Sequence, residues 1–221
     1  RITGLKDSSP HDLARLTEGL SDFSKEVCHW LGETYPAYAS GLTPDRVTLR
    51  THEEATRALR LMARNDLLHI DNFPTRPTQG RRILRLYVNI HPDDAHVWST
   101  SERFGDLLHR YLQKNRVSTR SEQEWVSAAP SFLRLFRSDR PACSAYDLLM
   151  QRLHHFLKED ESFQGRASRK LWSFAPATSW LFFSDVVSHA QLRGRFALEH
   201  SFFVDQNVLV YPEASPLTTL I

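Results

Sequence analysis

The chain has 221 residues, of which 41% are hydrophobic and 24% charged, and its formal charge is +2. That length supports one sizeable core but not two comfortable domains. The net charge is too small to argue for nucleic acid, and the basic residues, mostly arginine, are scattered among acidic neighbours. Cys28 and Cys143 show no metal spacing. A single disulfide between them is open, but a reduced compartment is the simpler expectation. No apolar run approaches the roughly 20 residues of a membrane span. The first residue is Arg1 rather than methionine, as expected of a truncated or processed chain, so an anchor ahead of it stays open.

The first third reads as helical. Ser9-Pro10 with Asp12 behind it is a cap followed by proline at the first helical position. Leu13, Leu16, Leu20, Phe23, Val27, Trp30 and Leu31 then recur at threes and fours. A loop is expected over 32–46. A second helix is expected from about Thr51, with Glu54 in capping-box position and Ala55, Ala58, Leu59 and Met62 on its buried face.

From Leu67 the pattern changes. Residues 67–73 and 82–91 read as strands. In the second, Leu84, Leu86, Val88 and Ile90 alternate with Arg85, Tyr87 and Asn89. The greasy face should pack on the helices, and the polar face, framed by aromatics, should line a cavity. Helices are expected again over 101–113, 121–137 and 144–159. Strands follow at 169–175, 179–184 and 195–204, with no internal repeat or linker. The whole reads as one sheet-based domain interrupted by helices.

Residues two apart on a strand share a face, so His69 and Asp71 project together. They supply two ligands for a divalent metal. His189, after an apolar strand and a short turn, is the candidate third, provided the sheet doubles back as a barrel or jelly roll. Two histidines and a carboxylate leave coordination positions open, as in non-haem Fe(II) oxygenases. Zinc would accept the same set, with a hydrolytic outcome.

Arg85, sharing a face with Tyr87 and Asn89, needs an anionic partner if buried. The distal carboxylate of 2-oxoglutarate would satisfy it. So would Glu199 or Asp185 in an internal ion pair. Arg195, downstream of His189, is the rival anchor. The remaining histidines are set aside. His154 and His155 are helical neighbours about 100° apart. His91 and His96 flank an acidic turn, His200 lies on a strand of open facing, and His29 and His109 sit at stripe edges.

The stretches LLHIDNFPTRPTQGRRILRLYVNI (67–90), VW (97–98), YDLLMQRLHHFLKEDESFQ (146–164) and WLFFSDVVSHAQLRGRFALEHSFFV (180–204) together resemble the Kdo hydroxylases. These enzymes are Fe(II)/2-oxoglutarate-dependent dioxygenases that act on the 3-deoxy-D-manno-oct-2-ulosonic acid (Kdo) of lipopolysaccharide. The resemblance implies an α+β chain built on a double-stranded β-helix, a cupin-like jelly roll. N-terminal helices would fill 1–66, and the core would span 67–205 with a helical insertion at about 101–160, all within one domain over 1–221. It also implies His69, Asp71 and His189 as iron ligands, with Arg85, Asn89 and Arg195 as candidates for holding 2-oxoglutarate. A basic residue at 195 departs from the family's pattern there, which favours Arg85.

The implied reaction consumes O2, releases succinate and CO2, and hydroxylates C3 of Kdo in a lipid A precursor. Arg76, with Arg81 and Arg82 beside it, is the candidate contact for the anionic substrate. Peripheral docking at the cytoplasmic face of the inner membrane would use exposed arginines and the aromatics near Trp98 and Phe104. A 2-oxoglutarate oxygenase acting on another substrate, or a jelly-roll binding module without catalysis, stays open as an alternative.

Overall fold

A computed structural model describes residues 9–115 and 143–220. Helix α1 (Pro10–Thr34) begins as the sequence dictates. Ser9 sits in extended conformation and its hydroxyl accepts the Asp12 amide, with Pro10 in the first turn. Only the second half of its stripe is well covered. Val27 and Leu31 are buried, whereas Leu13 is 41% exposed.

The expected loop after α1 holds instead a 3-10 turn (Pro36–Gly41) and strand β1 (Leu42–Arg50). The expected second helix does not form, and two single 3-10 turns occupy Glu54–Thr56 and Leu61–Ala63. The cause is electrostatic. Glu54 carries a buried carboxylate bound by Arg50 at 3.3 Å and Arg57 at 3.0 Å, so it is drawn inward rather than capping a helix.

Among the described residues seven antiparallel strands make two sheets. β1, β2 (Arg82–Asn89), β5 (Ser179–Phe183) and β7 (Ala197–Val204) form one in the order β1-β7-β2-β5. The other has the order β4-β3-β6, from β3 (His96–Arg103), β4 (Lys170–Phe174) and β6 (Val187–Arg193). Because β1 pairs with β7, the β-helix core starts well before residue 67. Residues 67–73 run extended but form only one bridge, His69 with His189. β6 was not expected as a strand. Ser188, His189 and Gln191 break its apolar pattern, because His189 and Gln191 line the cavity between the sheets and Ser188 bonds Glu102 O.

The helix expected at 101–113 is displaced, since residues 101–103 end β3 and helix α2 covers Phe104–Asn115. The helix expected at 121–137 lies outside the described residues. Helix α3 (Ala145–Glu159) starts at a capping box between Ser144 and Asp147, and a short helix α4 (Glu161–Arg166) follows it. A final turn of helix, α5, spans Pro216–Thr219.

Two apolar cores lie on the outer faces of the sheets. On the first sheet, Leu84, Leu86, Phe202 and Val204 pack against Val27 and Leu31 of α1. On the second, Phe104, Leu107, Leu108, Tyr111 and Leu112 of α2 meet Leu149, Leu153 and Leu157 of α3, over Leu68, Ile70 and Ala190. The space between the sheets is left to polar and aromatic side chains. There β6 turns into β7 at Gly194, whose φ of +122° suits only glycine and where a Cβ would stand 2.5 Å from His96 Nδ1. No disulfide joins Cys28 and Cys143.

Candidate active site

The extended segment 67–71 is stitched by its backbone to β6 of the second sheet and to the end of β5 in the first. His69 and His189 exchange both amide–carbonyl bonds at 3.1 and 2.9 Å, and the Asp71 amide donates to Ser184 O at 2.9 Å. Alternation then sends His69, Asp71 and His189 into the interior while Leu68 and Ile70 enter the outer core. The ligand atoms of the three lie within 4.8 Å of one another, and all three residues are buried. His69 Nε2 stands 3.7 Å from Asp71 Oδ1, and His189 Nε2 stands 3.9 Å from Asp71 Oδ2. Among the described residues they are the one such group of metal-binding type.

Their protonation is set by their neighbours. His69 Nδ1 bonds Leu67 O at 2.7 Å and His189 Nδ1 bonds Val187 O at 3.0 Å. A carbonyl only accepts, so each Nδ1 carries the proton and each Nε2 presents a lone pair toward Asp71. Burial holds both imidazoles below their ordinary pKa and hence neutral. Burial alone would raise the Asp71 carboxyl, but the charge of Arg85 outweighs it and holds it low and ionised. Two neutral nitrogens and one carboxylate, their ligand atoms within 4.8 Å of one another, suit a divalent cation.

Beside this group lies a cavity of about 200 Å³, lined by Arg50, Arg85, Tyr87, Trp98 and Gln191 together with the histidines. Arg85 Nε pairs with Asp71 Oδ2 at 2.8 Å, while its Nη1 pairs with Glu199 at 2.9 Å and donates to the Tyr87 hydroxyl at 2.9 Å. Arg50 binds the other oxygen of Glu199 at 2.5 Å. The indole N–H of Trp98 has no partner, nor has Gln191 Oε1. Glu199 was foreseen as a partner of Arg85, whereas Arg50, Trp98 and Gln191 were not foreseen as parts of the site. The signal for Arg50 was concealed by Pro44 and by the bulge between Pro44 and Val47, which break the alternation of β1.

Four expected contact residues fall elsewhere. Asn89 is fully buried but spends its amide on Asp94 O, Phe174 O and the His91 amide, and so fastens a turn rather than facing the cavity. Arg195 is exposed over the ring of Phe196. Arg76 is engaged by Asp45 and lies over Phe73, and Arg82 is locked to Asp185 by two bonds of 2.8 and 3.0 Å. His154, set aside as a ligand, packs edge-on against His69 at 5.2 Å and bonds Ile70 O through Nδ1. Lys158 escaped notice altogether. It is buried, donates to Met62 O, and burial brings its pKa down to about 8.

A double-stranded β-helix carrying two histidines and one carboxylate between its sheets is the architecture of a non-haem metal enzyme. Comparison with known proteins narrows this class. The family model for 3-deoxy-D-manno-oct-2-ulosonic acid (Kdo) hydroxylase matches residues 1–221, and the chain belongs to that family. Among solved structures it is similar to the Kdo hydroxylase KdoO, described as a non-haem Fe(II) alpha-ketoglutarate-dependent dioxygenase. To the complex of that protein with alpha-ketoglutarate and Fe(III), the TM-score is 0.86 at 31% identity, covering 99% of this chain and 72% of the other. The succinate and Fe(III) complex gives 0.85 at 30%, covering 99% and 71%. The cobalt(II) complex gives 0.86 at 31%, with 99% and 71% covered. Comparison with curated protein sequences gives no match.

Proposed function

We propose that the chain is an Fe(II)- and 2-oxoglutarate-dependent dioxygenase that hydroxylates C3 of Kdo in a lipopolysaccharide precursor. The observation that carries this reading is the convergence of His69, Asp71 and His189 beside a cavity walled by Arg85 and Arg50. Iron bound there with 2-oxoglutarate supplies an oxidant that puts one oxygen atom of O2 into a C–H bond while the oxo acid becomes succinate and CO2.

The residues' own part is positioning and exclusion of water. His69 and His189 offer Nε2 with no proton to lose. Arg85 fixes the orientation of Asp71 and keeps it ionised. 2-Oxoglutarate is a dianion, and the guanidinium of Arg50, on the cavity wall away from the metal ligands, would hold its second carboxylate. Phe182, at 5.1 Å from the His189 ring, and Trp98, at 6.1 Å, wall the centre with apolar surface. Kdo is a 3-deoxy sugar, so its C3 is a methylene and offers the hydrogen to be replaced. A Kdo-bearing lipid A precursor places the work at the cytoplasmic face of the inner membrane. No helix among the described residues is long and apolar enough to cross a membrane, and surface docking fits that reading.

Succinate release that requires Fe(II), 2-oxoglutarate and the Kdo-bearing precursor together is the test. His69→Ala should cut it by about 100-fold or more, and should abolish the visible absorption of bound Co(II). If turnover survives that change, the ligand assignment is wrong. If wild-type protein forms succinate independently of any Kdo acceptor offered, the substrate is wrong.

A further inference from the structure

Among the described residues the β-helix is open along one side, where β4 and β5 are edges of the two sheets with no further strand paired to them and are joined to each other by the turn at 175–178. Near that turn Phe174 and Trp180 stack at 4.0 Å and 7° and close the gap. Further from the turn no such pair exists among the described residues, and the inner faces carry Trp172 and Lys170 on β4 and Phe182 on β5.

The register shows where this opening leads. Trp172 lies opposite Trp98 and Lys170 opposite Thr100, and Thr100 in turn lies opposite His189. Residues directly opposite in an antiparallel pair share a face, so all of these point toward the metal-binding histidine. Leu171, between the two, points away and is 64% exposed. The Trp172 indole N–H donates to Thr100 Oγ1 at 2.9 Å, which brings the ring to within one strand of His189. Phe182 faces His189 from the other edge.

Trp172 nevertheless keeps 37% of its surface exposed, and Lys170 Nζ stands 4.0 Å over its ring. Among the described residues Lys170 has no carboxylate partner. Other cations around the centre are committed: Arg85 to Asp71 and Glu199, Arg50 to Glu199 and Glu54, Arg76 to Asp45, Arg82 to Asp185, and Arg81 to Thr78 O. A second cleft, of about 330 Å³, opens behind Asp71 against α3. Its charged walls, Asp147 and Asp185, are likewise bonded internally.

We propose that Trp172 and Lys170 form the subsite for the acceptor sugar. The electron-rich indole face takes the C–H surface of the sugar ring, and the ammonium takes the carboxylate that distinguishes an ulosonic acid from a neutral sugar. The assignment rests on the functional reading above and adds to it the residues that select the acid.

The test is equilibrium binding by calorimetry, on protein loaded with Co(II) and 2-oxoglutarate in the absence of oxygen. The two ligands are the methyl glycoside of Kdo and its carboxyl methyl ester. Trp172→Ala should weaken both by about tenfold or more, and Trp172→Phe should restore much of the loss. Lys170→Gln should weaken only the acid, by about tenfold, so that acid and ester bind alike. Leu171→Ser, on the same strand but the opposite face, should bind as wild type. Co(II) absorption and circular dichroism should be unchanged in all four. An acid-to-ester ratio untouched by Lys170→Gln, or full affinity in Trp172→Ala, overturns the subsite alone. Wild-type protein that takes up Co(II) and 2-oxoglutarate yet binds neither sugar overturns the functional reading, and the subsite with it.

Discussion

Asp71, Arg85, Glu199 and Arg50 form one buried chain of alternating charge, joined by contacts of 2.8, 2.9 and 2.5 Å. Burial alone would lower both arginines' affinity for the proton, but Asp71 and Glu199 beside Arg85, and Glu199 beside Arg50, raise it above the ordinary value. The members are not equivalent. Arg85 touches a metal ligand, whereas Arg50 stands two charges further on. Arg85→Met should therefore leave the Asp71 carboxylate without its cation while Glu199 keeps Arg50, destabilise the fold by about 3–5 kcal/mol, and weaken Co(II) binding along with turnover. Arg50→Met should raise the KM for 2-oxoglutarate by about tenfold or more while Co(II) titrates as in wild type. Equal effects of the two changes on Co(II) affinity would show that the chain acts as one unit. Of this chain the sequence displays Arg85 and Asp71 clearly, because each interrupts an apolar alternation. It also misassigns Asn89 by the same logic, since alternation gives a side chain's face but not whether a nearby turn consumes its hydrogen bonds.

The seating of α1 on the first sheet depends on a histidine remote from the metal ligands. His200 of β7 is fully buried, bonds Ser24 of α1 through Nε2 at 2.8 Å and stacks on Phe202 at 4.0 Å. Burial pushes its pKa down to about 4, despite backbone carbonyls that favour the charged form. Between that value and the ordinary 6.5, the unfolded chain binds a proton that the folded chain refuses, so stability falls as pH falls through this window. At pH 5 the loss from this group is roughly 2 kcal/mol, or about 4–8 °C in Tm. Other buried histidines add to the acid loss of the wild type, so the informative quantity is a difference. His200→Gln should lose about 4–8 °C less than wild type between pH 7 and pH 5 in thermal melts. Parallel curves would mean that His200 does not carry the effect.

Elements with strong local signals were legible: α1 through its Ser9 cap, α2 through its five-residue stripe, and β2 through its alternation. β1 and β6 were not. Their pattern is dictated by a cavity on one side and a core on the other, and neither is a local property of the chain. The helix expected after Thr51 gave way to the inward ion pairs of Glu54 with Arg50 and Arg57, and Arg50 is itself held by Glu199, a distant partner that no window of propensity contains.

At the scale of the molecule, the site belongs to no single element. Its groups come from the extended segment at 67–71 and from β1, β2, β3, β6 and β7, so both sheets must be in place before a metal or a diacid can bind. The sheets are in turn held from outside by separate helical cores. A chain built this way should unfold as one unit, and whatever binds between the sheets should stabilise all of it. Co(II) at 100 times its dissociation constant should add about 2.7 kcal/mol and raise Tm by about 5–10 °C, and 2-oxoglutarate bound beside it should raise Tm further. The transition should stay single by circular dichroism and by tryptophan fluorescence, which report on the helices and on the interior aromatics respectively. His189→Ala should remove the Co(II)-dependent rise. Two transitions, of which ligand moves only one, would divide the chain into a binding part and an independent part. The helix α1 face of the first sheet would be the first place to look for the division, because it contributes no group to the cavity.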